Sequence, residues 1–174
     1  MIDTKTKIAS GLEDCFRTMG FSEPGVDALR DAADVSLRTL YKYFPSREDM
    51  VAGALDYRHD RYLAFISENV PPSGPEAIDH LFARVEVWMR TEDGVGCLFL
   101  NALAAHPGNP AIRTVVERQK NATRELMARC SGRDELANQM FLLHEGATAA
   151  WPLLGREAIR TARSAAFSLM SGQG

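Results

Sequence analysis

The 174-residue sequence predicts an all-α protein of about nine helices, in which three N-terminal helices with a helix-turn-helix precede a larger helical domain. Apolar residues recur at three- and four-residue spacing over most of the chain, which is the period of an amphipathic helix. Clusters of proline and glycine interrupt this spacing where helices should end. No segment shows the alternation of a half-buried strand.

Three helices and a tight turn are predicted for the first fifty residues. The first helix ends near Gly20, and the third spans Leu37 to Tyr43 after a break at residues 33–36. The apolar side of the first helix is expected to hold Ile8, Leu12, Cys15 or Phe16, and Met19. The short second helix is expected to bury Val26, Leu29 and Ala32.

Six further helices are predicted beyond residue 45. Pro45 ends the third helix, and Ser46 with Asp49 three residues later has the pattern of a capping box for a fourth helix that runs past Phe65. The later boundaries fall at 71–75, 92–96, 106–110, 131–132 and 152–155. On this pattern, residues 1–50 form one domain and residues 51–174 form another.

Composition and charge place the chain among ordinary globular proteins. The sequence is 45% hydrophobic and 25% charged, with a formal net charge of −3, so a surface that binds polyanions everywhere is excluded. No run approaches the roughly 18 apolar residues of a membrane span, and the first residues lack the apolar core of a signal peptide. We therefore expect a cytoplasmic protein without a membrane partner.

Cysteine and histidine positions predict neither a disulfide framework nor a metal site. Cys15, Cys97 and Cys130 are an odd number at wide spacing, and the four histidines show no ligand spacing. Cys97 has no basic neighbour in sequence and is interpreted as an inert thiol. No metal or other cofactor is predicted.

The last two predicted helices carry too many apolar and small residues for one buried face. A two-fold contact between two copies of this helix pair would cover the second face, so a homodimer is predicted. The alternative is that both helices are internal. The predicted interface consists of Met140, Leu143, Ala147, Trp151, Ile159, Ala166 and Phe167.

The region between residues 36 and 47 differs in charge from its surroundings. Residues 1–60 contain eight Lys or Arg and eleven Asp or Glu, yet this window holds Arg38, Lys42 and Arg47 and no acid. In a helix-turn-helix the second helix enters the major groove of DNA, where its early residues reach the base edges. The pattern favours binding to double-stranded DNA.

Each residue type in this window suits a contact to DNA. Arg38 is the candidate for a base contact because a guanidinium can bond both acceptors of guanine, and Leu37 can touch a thymine methyl group. Hydroxyls and cations suit phosphate oxygens, and Ser36 can also cap the helix. Taken singly, the two tyrosines could be packing residues, Lys42 a surface lysine and Arg47 a partner of nearby acids. The predicted set is Ser36, Leu37, Arg38, Thr39, Tyr41, Lys42, Tyr43 and Arg47.

The run from Val35 to Met50, VSLRTLYKYFPSREDM, resembles the DNA-binding signature of the TetR family of transcriptional repressors. The helix count and the paired final helices are also similar to that family. The sequence departs from the family pattern at Pro24 and Gly25, where the family usually has threonine or serine, and at Asp34, where it usually has glycine. Asp tolerates a left-handed backbone better than most residues, so we expect the turn to form.

The resemblance implies a homodimeric repressor that binds a palindromic operator and is released by a small-molecule effector, with the effector held among the middle helices. Repression is implied by the resemblance alone. Core packing is the alternative role for most of the candidate pocket residues, which are Tyr62, Phe65, Trp88, Met89, Phe99, Asn101, Gln119 and His144.

The sequence also bears on two other classes of function. An enzyme is not predicted, because the sequence contains no G-x-S-x-G motif, phosphate loop, H-E-x-x-H motif or recognisable pair of nucleophile and base. A helical interaction module that no longer binds DNA is the remaining alternative. It is favoured by Pro24, Gly25, Asp34 and the acidic N-terminal helices.

Overall fold

The computed structural model describes residues 3–92 and 95–172, and nine α-helices and one 3-10 turn account for most of these residues. The helices are α1 (Thr4–Met19), α2 (Val26–Ala33), α3 (Leu37–Tyr43), α4 (Arg47–Ser67), α5 (Pro75–Glu92), α6 (Leu98–Ala105), α7 (Pro110–Ser131), α8 (Ala137–Leu154) and α9 (Arg156–Met170). The 3-10 turn, Asp134–Leu136, precedes α8. The described residues contain no strand, which confirms the all-α prediction.

The chain forms two compact units. The first contains Met1–Arg61 and Leu98–Arg118, and the second contains Tyr62–Cys97 and Gln119–Gly174. Both α4 and α7 pass from one unit to the other, so neither unit is one continuous stretch of chain. The division at residue 50 into a DNA-contacting and an effector-binding domain stays a prediction about function.

Helix α1 begins and ends where its sequence predicts. Asp3 caps it by accepting a hydrogen bond from the Thr6 backbone N–H at 3.1 Å, and Gly20 ends it with a φ of 77°. Cys15 and Phe16 are both buried, but Met19 is 46% exposed. The predicted apolar stripe is wrong at Met19 because the helix ends one residue later, and the buried face is already complete at Phe16.

Helix α2 packs on α1 through a different face from the one predicted. Leu29 and Ala33 are buried, whereas Val26 and Ala32 are exposed. The two buried residues are four apart, one helical turn, and so lie on the same side of this short helix. The helices approach so closely that a Cβ on Gly11 would lie 2.2 Å from the Ala32 carbonyl oxygen.

A buried ion cluster joins α1 to the first part of α4 within the first unit. The Glu13 carboxylate is buried and accepts hydrogen bonds from the guanidinium groups of Arg58 and Arg61, the latter at 2.8 Å. Arg58 is itself almost fully buried. Removing one partner of a buried ion pair costs about 3–5 kcal/mol, so this cluster holds α1 firmly against α4.

The second unit has its own apolar core. It is formed mainly by α5, α8 and α9, and its fully buried members include Leu81, Phe82, Val85, Met140, Ile159 and Ala166. The Arg163 guanidinium, on α9, donates two hydrogen bonds to the Asp79 carboxylate on α5 and holds the pKa of that carboxyl below its ordinary value.

Helix α8 runs beyond its predicted end. The sequence predicts that it stops at Trp151, but it includes Pro152 and continues to Leu154. Proline lacks the N–H that would bond four residues back. Because Pro152 lies in the last turn, only one hydrogen bond of the helix is lost there, and the helix tolerates it.

Candidate nucleic-acid interface

The turn between α2 and α3 depends on Asp34. Asp34 adopts a left-handed conformation with φ 52° and ψ 52°, and its backbone N–H closes the end of α2. The side-chain Oδ2 lies 2.7 Å from Lys7 Nζ, and this hydrogen bond lowers the pKa of the Asp34 carboxyl. The expectation that aspartate would permit the turn is confirmed.

Ser36 starts α3 by capping it. Its Oγ accepts a hydrogen bond from the Thr39 backbone N–H at 3.1 Å and lies 2.9 Å from the Thr39 hydroxyl. These bonds satisfy one of the free N–H groups at the start of the helix. Ser36 and Thr39 therefore fix the N-terminal end of α3, where the predicted DNA contact begins.

One face of α3 is open to solvent. Leu37 and Tyr41 are 37% and 45% exposed, and Arg38 and Lys42 are also exposed. Within the described part of the chain, the Arg38 guanidinium has no ion-pair or hydrogen-bond partner. Lys42 Nζ lies 5.6 Å from the centre of the Tyr43 ring. Four of the eight predicted residues thus share one accessible face.

The opposite face of α3 is packed into the first unit. Leu40 and Phe44 are both buried, as the sequence predicts. Gly53, one helix later, makes room for Phe44, since a Cβ there would lie 2.2 Å from an atom of the Phe44 ring. This packing holds the exposed face of α3 in a fixed position on the unit.

The start of α4 has the predicted capping box. Asp49 Oδ2 accepts from the Ser46 backbone N–H at 3.1 Å, and Ser46 Oγ accepts from the Asp49 N–H at 3.0 Å. Arg47, one of the predicted DNA contacts, bonds within the protein. Its guanidinium donates to the backbone carbonyls of Phe21 and Pro24 at 2.6 and 2.7 Å, so it braces the connection between α1 and α2.

The acidic residues near the turn are largely paired. Arg30 Nη1 lies 2.8 Å from Asp27, and Arg30 Nη2 lies 2.7 Å from Asp31. Gly25, the N-cap residue before α2, makes no side-chain hydrogen bond to the helix, at a position where the family usually has threonine or serine. The negative charge that the sequence places beside the turn is therefore partly balanced by Arg30 and Lys7.

The predicted effector residues are not all brought together. Tyr62, Trp88, Met89 and His144 lie in the buried core of the second unit, with Phe65 packed against it. Phe99 is buried but belongs to the first unit, as does Asn101. Asn101 is exposed. Its assignment to the effector pocket stays a prediction, although water reaches this side chain.

Gln119 stands out among these residues. It is buried in the second unit, and its Nε2 donates to the Thr123 hydroxyl at 3.0 Å. Its Oε1 has no hydrogen-bond partner among the described residues. A buried amide oxygen of this kind is a suitable anchor for a polar ligand group.

Several predicted interface residues are internal. Met140, Ile159 and Ala166 are fully buried within their own chain and Ala147 is nearly so, which corrects their assignment to an exposed surface. Leu143 and Trp151 are half-buried. Phe167 is 60% exposed, and Leu142, which was not predicted, is 67% exposed. Helical spacing alone could not separate the inner from the outer residues, because both faces of α8 are apolar.

The second unit contains a buried polar network that the sequence does not predict. His144 lies between the Tyr62 hydroxyl and the Glu145 carboxylate, the latter at 3.0 Å from Nδ1. Glu145 forms an ion pair with Lys120 Nζ at 2.6 Å. Burial lowers the pKa of His144, so its imidazole is neutral. The only signal in the sequence was the pair of polar residues 144 and 145 within an apolar helix.

Neither a membrane span nor a metal cluster is found in the described ranges. In residues 3–92 and 95–172, every helix is too short or too polar to cross a bilayer. Over the same residues, no three His, Cys, Asp or Glu side chains lie close enough to bind a metal ion together.

Comparison with known proteins agrees with this geometry. Residues 8–54, which include the exposed face of α3, match the model of the bacterial regulatory proteins of the tetR family. No curated protein matches the sequence.

Solved structures of similar proteins share the fold over almost the whole chain. A TetR-family transcriptional regulator from Streptomyces coelicolor is 23% identical, with a TM-score of 0.78 over 97% of this chain and 96% of that one. A TetR transcription regulator from Haloarcula marismortui is 20% identical, with a TM-score of 0.80 over 98% and 97%. A putative tetr-transcriptional regulator from Streptomyces avermitilis is 26% identical, with a TM-score of 0.70 over 95% and 98%.

Both the family match over residues 8–54 and the shared fold are consistent with an α3 that is capped at its start and exposed to solvent. TetR-family regulators bind DNA and are not enzymes, which confirms the prediction that this chain is not one. These comparisons support a TetR-family transcriptional regulator, because residues 8–54 match the family model and the chain shares the fold of TetR-family regulators over almost its whole length.

Proposed function

We propose that the protein is a cytoplasmic homodimeric repressor that binds a palindromic operator through α3 and leaves it when a small-molecule effector binds the second unit. The observation that carries the DNA-binding part is the exposed face of α3, where Arg38 and Lys42 project without an acidic neighbour in the helix. A short helix that carries cations beside a tight turn is suited to the major groove.

Roles within the face follow from side-chain chemistry. Arg38 has its guanidinium free for the two acceptors of a guanine edge, and Leu37 beside it can touch a thymine methyl group. Tyr41 and Lys42 reach outward and suit phosphate oxygens, which position the helix without reading sequence. Ser36, Thr39 and Tyr43 complete the proposed set. Arg47 is left out because two backbone carbonyls already occupy its guanidinium.

The surface of α8 and α9 supports the proposed homodimer. A groove of about 260 Å³ runs between these helices and is lined by small residues and by Leu142, Leu143 and Leu154. Phe167 is exposed on the outer surface of α9. Small residues let helices approach closely, and an apolar groove beside large exposed apolar side chains is suited to a self-complementary contact.

The buried centre of the second unit supports a binding site for the effector. Tyr62, Gln119 and His144 are polar side chains in largely apolar surroundings, with Trp88 and Met89 in the same core. Sparse polar groups in an apolar site are what orient a small ligand. A ligand that binds one conformation tenfold more tightly than the other shifts the equilibrium between them by about 1.4 kcal/mol.

A titration of the wild-type protein tests this proposal. Fluorescence anisotropy would follow its binding to the intergenic DNA beside its own gene and to an unrelated duplex, across a series of salt concentrations. We expect tighter binding to the neighbouring DNA and an affinity that falls as salt rises. Equal and weak binding to both duplexes would contradict the proposal and favour a helical interaction module.

A further inference from the structure

Within the described part of the second unit, Gln119 is the one residue with a buried side-chain nitrogen or oxygen that makes no hydrogen bond. The residue is 2% exposed, and the unpartnered atom is the amide oxygen, Oε1. An acceptor buried without a donor costs free energy of folding, so native proteins rarely keep one. A ligand that supplies the missing donor would account for it.

The orientation of the Gln119 amide is set by Thr123, one turn further along α7. The Thr123 hydroxyl donates its single proton to the Gln119 backbone carbonyl at 3.0 Å. Because that proton is used, the hydroxyl oxygen can only accept from the amide, and it accepts from Gln119 Nε2 at 3.0 Å. A reversed amide would place Oε1 against an oxygen that has no proton to give. Oε1 is therefore held as an open acceptor.

Gln119 lies on the side of α7 that faces the core of the second unit. Gln119, Thr123 and Met127 follow one another at four-residue spacing, so they share one side of the helix. Met127 belongs to the apolar core that also contains Tyr62 and Trp88. The rings of Tyr62 and Trp88 meet edge to face, with their centroids 5.2 Å apart. The open acceptor is therefore on the helix face that packs against an aromatic core.

The polar network around His144 is complete without a ligand. The Glu145 carboxylate only accepts, so His144 Nδ1 carries the proton between them, and His144 Nε2 accepts from the Tyr62 hydroxyl. Burial lowers the pKa of His144, so its imidazole is uncharged. Burial raises the pKa of Glu145, but His144 and Lys120 outweigh burial and hold this pKa below its ordinary value. Glu145 pairs with Lys120 at 2.6 Å, so the network has no net charge.

We propose that Gln119 Oε1 is the recognition point for an uncharged, largely apolar effector that carries an N–H or O–H donor, of the phenol, aniline or carboxamide kind. This inference rests on the proposed effector site and names the chemistry of its ligand. The donor supplies the hydrogen bond that Oε1 lacks, and the apolar body packs among the aromatic residues. A charged ligand would lose its hydration without gaining a counter-ion, and a ligand without a donor would leave Oε1 unsatisfied.

The test follows the glutamine side-chain amides by NMR in full-length protein with isotopically labelled glutamine, because the chain contains only three, Gln119, Gln139 and Gln173. Phenol, aniline and benzamide are the uncharged donors. Anisole, the methyl ether of phenol, lacks the donor, and benzoate and benzylammonium carry charge. We expect the uncharged donors to shift the Gln119 signal and to bind at least about tenfold more tightly than anisole or either charged probe.

Gln119→Met removes the acceptor and keeps the length of the side chain. We expect this variant to bind the uncharged donors about tenfold more weakly and anisole at least as well as the wild type does. Its Tm should equal or exceed that of the wild type, because an unsatisfied buried oxygen is removed. Gln139→Met makes the same exchange at an exposed glutamine of α8, and this matched control should bind every probe as the wild type does.

The proposal is overturned if the uncharged donors leave the Gln119 signal unmoved up to their solubility limits, or if they bind the wild type no more tightly than anisole. This comparison needs no variant and holds even if Gln119→Met does not fold. A folded Gln119→Met that keeps the wild-type preference for donors also overturns it.

These measurements contain no DNA, so they are separate from the test of the proposed function. Donors that bind at Gln119 without releasing the operator would contradict effector release and leave the recognition chemistry intact. Release by a compound that binds equally well to folded Gln119→Met would support effector release and overturn the role of Gln119.

Discussion

Lys7 and Asp34, 27 residues apart in sequence, are joined by a hydrogen bond of 2.7 Å at the turn of the helix-turn-helix. Asp34 occupies the left-handed position that the family usually gives to glycine, and Lys7 reaches it from α1. Both side chains of this ion pair are exposed to solvent, so its contribution to stability is small. Its main effect is to balance a negative charge close to the proposed DNA-binding face.

Substitution at Asp34 should separate backbone strain from the ion pair. A non-glycine residue in the left-handed region costs on the order of 1 kcal/mol, and glycine adopts it freely. We expect Asp34→Gly to raise the free energy of unfolding by about 0.5–1 kcal/mol in a urea titration. Asp34→Ala, which keeps the strain and loses the contact with Lys7, should lower it. A Gly variant less stable than the wild type would contradict this account of the turn.

Phe167 tests the proposed dimer interface. It is 60% exposed on α9, and a charged side chain there would be buried without a partner in a two-fold contact. We expect Phe167→Asp to be monomeric in analytical ultracentrifugation at concentrations where the wild type is dimeric. Leu100→Asp, at an exposed leucine of α6, is the control and should remain dimeric. A dimeric Phe167→Asp would place the interface elsewhere.

Three histidines should make the protein less stable in weak acid. Burial is the main cause that lowers the pKa of His59, His106 and His144. The unfolded chain, with histidine pKa values near 6.5, therefore binds protons that the folded protein does not. The contribution of the neutral histidines to the free energy of unfolding is fully present above about pH 6.5. It is lost as the pH falls below about 6.5, by at most about 1.4 kcal/mol per pH unit for each histidine.

Urea unfolding at pH 7.5, 6.5 and 5.5 measures this effect. His59 Nδ1 has no hydrogen-bond partner in the described part of the chain, so His59→Phe removes the titration without breaking a bond at that atom. The pKa of His59 also responds to three nearby charges that the variant keeps, those of Arg118, Asp56 and Asp60. We expect the variant to lose less stability between pH 7.5 and 5.5 than the wild type. A wild-type stability that is constant or rises over this interval would contradict the account.

Local interactions of the helix-turn-helix could be predicted because they join residues three or four apart. The Ser36 cap, the box formed by Ser46 and Asp49, and the inward position of Leu40 all follow from short-range spacing. The same spacing was ambiguous where a helix is apolar on two sides. That is why Met140 and Phe167 were placed in one interface although one is buried and the other exposed.

The sequence alone does not predict contacts between distant parts of the chain. Lys7 meets Asp34 and Lys120 meets Cys97 across 27 and 23 residues, and nothing in the local pattern of either lysine indicates its partner. Arg47 lies in the DNA-binding signature, yet its bonds to Phe21 and Pro24 turn it toward the protein. Pairings of this kind depend on how the helices pack, which composition and periodicity do not specify.

The most direct test of the central claim is the effect of Arg38 and Lys42 on DNA binding, measured by fluorescence anisotropy with a palindromic duplex from the DNA upstream of the gene. We expect Arg38→Ala to weaken binding about tenfold or more and to reduce sequence preference. Lys42→Ala should weaken binding to all duplexes alike and lower the salt slope by about 1.

The matched control for both variants is Arg90→Ala, which removes one exposed cation from α5 in the second unit and should bind as the wild type does. The account predicts that both α3 variants lose affinity while their circular dichroism spectra stay unchanged. If both variants are folded and bind the duplex as tightly as Arg90→Ala, the claim that α3 reads DNA is contradicted.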